Sequence, residues 1–97
     1  MKIDLNFPDF QEDLFKLEKS EIYALVKSLR ALFKMDFDQL RRSSGLNLEK
    51  IRNMKTRKGN PLYSIRISRS FRAVVSIEGD YLRFISLHPD HDSAYKK

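Results

Sequence analysis

Both histidines of this chain, two aspartates and a tyrosine fall between His88 and Tyr95, in the run LHPDHDSAYKK. Groups of these types bind metals, move protons, or keep a tail in water. A metal site would draw on His88, Asp90, His91 and Asp92. Zinc sites hold their ligands on rigid elements with a supporting second shell. Here the four candidates occupy five consecutive residues with Pro89 among them, and no second cluster of histidine or cysteine exists elsewhere. No metal and no cofactor are therefore expected. Proton transfer remains open, because imidazole with its ordinary pKa near 6.5 changes charge close to neutrality. A solvated tail with no task also remains open.

A second group of residues suits anions. The net charge is +6, and its placement says more than its size. From Arg52 to Arg72 there are seven basic residues (Arg52, Lys55, Arg57, Lys58, Arg66, Arg69 and Arg72) and no acidic one. The other 76 residues carry 12 basic and 13 acidic side chains, so all the excess charge lies in 21 residues. Such a stripe makes a local positive field suited to a phosphate backbone. A solvated face, or a docking surface for an acidic protein, would look the same.

The elements that must position these groups are legible in outline. Ninety-seven residues fit one domain spanning 1–97. The apolar share of 41% and charged share of 33% describe a globular chain rather than a disordered one. There is no cysteine, which removes disulfides and thiolate metal sites and suits a reducing compartment. No apolar run approaches the roughly 20 residues of a membrane span, and MKIDLNFPDF lacks the apolar core of a signal peptide. The expected protein is soluble and cytoplasmic, with no membrane partner.

MKIDLNF alternates as a short strand does. Pro8 suits a first helical position, followed by Asp9, Glu12 and Asp13 where the helix dipole favours acid. Phe7, Phe10, Leu14 and Leu17 form one apolar stripe. Ser20 is a candidate cap for a second helix with Ile22, Leu25, Val26, Leu29, Leu32 and Phe33 facing the core. MDFDQLRRSSG breaks the period and Gly45 closes it. The pattern then turns extended: LNLEKI, LYSIRIS, FRAVVSI and YLRFISL read as strands, the last two joined at Glu78-Gly79-Asp80. Apolar residues on both sides of the last run suggest a strand covered on both faces. The expected architecture is α+β: an N-terminal strand and two-helix hairpin packed on one face of a largely antiparallel sheet of about four strands.

Three motifs in this order resemble the RelE/ParE superfamily of toxins from bacterial type II toxin–antitoxin pairs. They are Tyr-x-Ile-Arg (Tyr63 to Arg66), Ser-Phe-Arg (Ser70 to Arg72) and His-Asp-x-x-Tyr (His91, Asp92 and Tyr95). The resemblance covers roughly Gly45 to Tyr95, and the order of elements extends it over the chain. It implies a compact toxin with a concave basic face on its sheet. Many members enter the ribosomal decoding site and cleave mRNA without a metal, and an antitoxin encoded by a neighbouring gene neutralises the toxin in a hetero-oligomer by wrapping over that basic face. The ParE-like branch keeps the fold but acts on DNA gyrase, and a non-catalytic binding module is a further alternative. The best-studied ribosome-dependent branch carries lysine where Ser64 stands and basic residues where the His88–Asp92 loop lies. Other cleaving branches place a histidine near the C-terminus, as His91 does here.

On this resemblance the chain is an endoribonuclease. Metal-free cleavage of RNA needs a group to take the proton of the 2′-hydroxyl, a charge to stabilise the phosphate, and a group to protonate the 5′-oxygen. Arg66 and Arg72 offer planar forks to phosphate oxygens. His91 suits either proton transfer, and Tyr95 suits a base only beside cations. Lys55, Lys58, Arg69 and His88 are the expected RNA contacts outside the chemistry. Tyr63 and Phe71 are read as core.

Overall fold

The computed structural model describes residues 1–89. It contains a five-stranded sheet with helices packed on one face. Strand β1 (Lys2–Asp4) leads into α1 (Pro8–Phe15), where Pro8 opens the helix and Asp9 lies in its first turn. Phe10 points inward and meets Phe84 edge-on, with ring centroids 5.7 Å apart. Helix α2 (Lys19–Phe33) begins before the expected cap, Ser20. Glu18 is the N-cap instead, and its backbone N–H is answered by the Glu21 carboxylate. Leu25, Ser28 and Leu32 face the core, and the Ser28 hydroxyl donates to the Ile67 carbonyl at 3.2 Å. Ile22, Val26 and Phe33, expected inward, are exposed. The helix buries only a narrow stripe against the sheet, so the outer flank of its apolar arc stays in water.

MDFDQLRRSSG, which shows no helical period, contains a third helix, α3 (Phe37–Arg42). Asp36 accepts from the Gln39 backbone N–H while the Gln39 side chain accepts from Asp36 N–H. Six residues are too short for a period to emerge, and Leu40 is the buried one. The capping box was the available signal.

The strands that follow are β2 (Glu49–Lys55), β3 (Pro61–Arg66), β4 (Arg72–Glu78) and β5 (Tyr81–His88), in spatial order β1-β5-β4-β3-β2. Neighbours are antiparallel except β1, which runs parallel to β5 and brings the count to five. Between β4 and β5 the positive φ falls on Gly79 and not on Asp80, the glycine-first pattern of a tight two-residue hairpin. β1 reaches along β5 only to Arg83. Beyond that point α1 lies beside β5, and the Asp13 carboxylate accepts the Leu87 backbone N–H at 2.9 Å. A strand edge is thereby covered rather than left open for pairing.

The apolar residues of YLRFISL have a cause other than cover on both faces. The β4–β5 register pairs Val74 with Ser86 and Val75 with Phe84, so Ile85 is an extra residue. This bulge resets the alternation and lets Leu82, Phe84 and Leu87 all face the helices. Tyr63 and Phe71 lie in or against the core, as expected. Among the described residues, no helix is long and apolar enough to cross a membrane.

Candidate functional site

The face of the sheet turned away from the helices carries three rows of side chains. Residues paired directly across antiparallel strands project to the same face. One row runs Arg66 (β3), Arg72 (β4), His88 (β5). The next runs Glu49, Ser64, Val74, Ser86 across β2 to β5. The third runs Leu62, Ser76, Arg83, Asp4 and ends on β1. Residues 22 positions apart in sequence, Arg66 and His88, are thus brought to either side of Arg72.

Arg72 is the best-held member of its row. Its Nη2 donates to the Ser64 hydroxyl at 2.7 Å, and lies 3.3 Å from Glu49 Oε1 and 3.4 Å from the Asn47 carbonyl oxygen. All three contacts use one nitrogen, so Nη1 and Nε make no hydrogen bond among the described residues. Ser64 stands one row away on β3, two residues before Arg66, and fixes the direction of the Arg72 side chain. Arg66 is exposed and makes no ion pair among the described residues. Like charges directly opposite each other destabilise a strand pair, so two adjacent arginines suit a surface that meets an anion. His88 is half-buried, with Nε2 2.9 Å from the Ser86 hydroxyl.

The remaining expected contacts divide between two ends of the face. Arg69 lies in the β3–β4 connection, beside the Arg66–Arg72 end. Lys55 ends β2 and Lys58 lies in the β2–β3 turn, at the Leu62 end. Of the seven cations between Arg52 and Arg72, Arg72 alone is ion-paired among the described residues. His91 and Tyr95, with Asp90 and Asp92, lie outside the described residues. Among those described, no group of three or more His, Cys, Asp or Glu side chains could hold a metal.

Two participants escaped the sequence reading. Glu49 precedes the basic segment by three residues and looked like an ordinary strand carboxylate, yet it touches Arg72. Its signal was the strand pattern of LNLEKI, which put an acid beside the basic strands without a register to locate it. Arg83 lies in YLRFISL, which reads as a strand with no role assigned to its arginine. It forms ion pairs with Asp4 (3.3 Å) and Glu78 (3.7 Å), and its guanidinium carbon lies 5.5 Å from the centroid of the Phe7 ring. Its Nε approaches Asp4 without hydrogen-bond geometry and is buried with no acceptor. Between the start of α1 and the β2–β3 turn, this end of the face opens into a cleft of 590 Å³.

No protein-family model matches the sequence, and no curated protein matches it either. Two solved structures share the fold. A copper-bound mutant toxin from Helicobacter pylori is 17% identical, with 98% of this chain and 99% of that one covered and a TM-score of 0.51. The YoeB dimer from Staphylococcus aureus is 19% identical, with 94% of this chain and 100% of that one covered and a TM-score of 0.52. The similarity spans almost the whole of each chain, and at this identity it is a likeness of fold.

Proposed function

We propose that this chain is the toxin of a type II toxin–antitoxin pair, and that it cleaves mRNA on the ribosome by metal-independent acid–base chemistry. The observation that carries this reading is the row Arg66–Arg72–His88 across three adjacent strands. Two guanidinium groups and an imidazole converge there on an uncovered face, with the Glu49 carboxylate against one of them. Sharing a fold with a toxin from Helicobacter pylori supports it.

In this mechanism the phosphate lies across Arg66 and the free edge of Arg72, held by charge-assisted hydrogen bonds. The 2′-oxygen attacks phosphorus, the bond to the 5′-oxygen breaks, and one proton leaves the 2′-hydroxyl while another reaches the 5′-oxygen. Glu49 is a carboxylate able to take the first proton. His91, three residues after His88 in the sequence, is proposed to carry the second. Tyr95 is proposed to position or stack. Growing charge on the phosphate is what a preorganised arginine stabilises best.

The proposed partners are ribosome-bound mRNA in the cytoplasm and a neutralising antitoxin. The outer side of α2 suits an acidic amphipathic segment of that antitoxin, because exposed Val26 and Phe33 there adjoin Lys27, Arg30 and Lys34.

The test is induction of the protein alone and with its genetic neighbour, followed by cleavage assays on ribosomes with and without chelator. Growth arrest, relief by the neighbour and chelator-resistant cleavage are expected. His91→Ala should lower cleavage by about a hundred- to ten-thousandfold. Full toxicity of that variant with no RNA cut would replace the endonuclease with a gyrase-directed binder. Cleavage lost in chelator and restored by zinc or manganese would return His88 and His91 to the role of ligands.

A further inference from the structure

The cleft at the other end of the open face is untouched by the phosphate row. We propose that it is a pocket for one unpaired nucleobase of single-stranded RNA, with guanine preferred; this rests on the nucleic-acid reading above. Its 590 Å³ falls within the roughly 300–1,000 Å³ of small-ligand sites. Leu62 and Ile85 supply an apolar floor, and the Phe7 ring with the Arg83 guanidinium against it supplies flat surfaces of the kind on which bases stack. The rim carries Lys55, Arg57 and Lys58, none of them ion-paired among the described residues, to meet the attached phosphate.

Glu78 gives the pocket its selectivity. The Ser76 hydroxyl donates to Glu78 Oε2 at 2.8 Å and Arg83 Nη1 lies 3.7 Å from the same oxygen, so Oε1 is left as an acceptor. A carboxylate only accepts. Guanine offers it two neighbouring donors, N1–H and the N2 amino group. Uracil offers one N–H between two carbonyl oxygens, which the carboxylate repels. An acidic peptide fits less well, because its carboxylates would meet Glu78 and Asp9. Along β3, Leu62 lies four residues from Arg66, about 13 Å. A base held in the cleft therefore belongs to a different nucleotide from the one whose phosphate meets Arg72, and it selects sequence at a distance from the cut.

Binding of guanylate and uridylate to the full chain, followed through its backbone amide NMR signals without ribosomes, tests this directly. Guanylate should shift Phe7, Thr56, Glu78 and Ile85, and uridylate should bind about tenfold more weakly. The near-isosteric Glu78→Gln should weaken guanylate by about tenfold and leave uridylate no weaker, since the repulsion of its carbonyl oxygens is removed, while Ile85→Trp should fill the cleft and weaken both. Shifts confined to Arg66, Arg72 and His88, or equal affinities that Glu78→Gln does not alter, would overturn the pocket. Binding in the cleft by a protein that cuts no RNA would keep the pocket and remove the endonuclease. Cleavage without such binding would do the reverse.

Discussion

Arg72 and Arg83 project from the same face of neighbouring central strands, and the side chain of each is 30% exposed, yet their surroundings differ in kind. Arg83 lies between two carboxylates, Asp4 and Glu78, exposed by only 29% and 22%, with Phe7 beneath it. Arg72 meets one carboxylate, Glu49, which is 63% exposed, and has Arg66 and His88 for neighbours on its row. Among the groups each arginine directly pairs with, carboxylates outnumber cations around Arg83, and cations outnumber carboxylates around Arg72 once His88 is protonated. An ion pair whose carboxylate faces water is worth about a kcal/mol at most, so an incoming phosphate can compete for Arg72. Around Arg83 the pairing is partly withdrawn from water and joins β5 to β1, which makes it a fastening of the sheet edge. In the proposed reading the same residue type is left open to a ligand at Arg72, while at Arg83 it is first tied into the fold and only its face is turned to the cleft, and the neighbours decide which.

Three substitutions sharpen or break that contrast. Arg72→Ala should leave thermal stability nearly unchanged and reduce RNA cleavage by about a hundred- to a thousandfold, equivalent to about 2.7–4 kcal/mol of transition-state stabilisation. Single-turnover cleavage, with folding checked by circular dichroism, measures it. A variant that cleaves normally would move Arg72 to the structural side of the comparison.

Arg83→Ala should act on stability first, because it leaves Asp4 and Glu78 half-buried without their cation. Breaking a fully buried pair costs about 3–5 kcal/mol, and partial exposure reduces that here to about 1–3 kcal/mol. At about 4–8 °C per kcal/mol for a domain of this size, the fall in Tm is easily read by calorimetry. An unchanged Tm would show that Arg83 is no fastening at all.

Lys58→Ala should have the smallest effect. An exposed cation on a turn adds to encounter with RNA but not to the reaction, so turnover at saturation should hold. The slope of log affinity against log salt should fall by about 0.7, the value for one phosphate contact on a single strand. A fall in turnover with no change in slope would place this lysine in the chemistry.

Much of the fold was legible because its signals are local. Pro8 followed by acids marks the start of α1, the alternation of LYSIRIS marks β3, and Glu78-Gly79-Asp80 marks the β4–β5 turn. α3 is too short to show a period. The bulge at Ile85 shifts an alternation by one residue, which a sequence pattern cannot distinguish from a strand buried on both faces. Ile22, Val26 and Phe33 read as core because periodicity gives the direction of an apolar arc but not how much of it a sheet will cover.

For the candidate site, residue type and charge density were set by the sequence alone. The seven cations from Arg52 to Arg72, Arg66 and Arg72 among them, needed no structure to be noticed. Which of them act together was decided by strand register, because pairing across strands joins residues with no sequence relation. Register set Arg66 and His88 on either side of Arg72, brought Glu49 and Ser64 to its guanidinium, and sent Lys55 and Lys58 to the opposite end beside Arg83. Slipping one strand by a single residue would turn each of its side chains to the other face and dissolve both groupings, while the composition stayed the same.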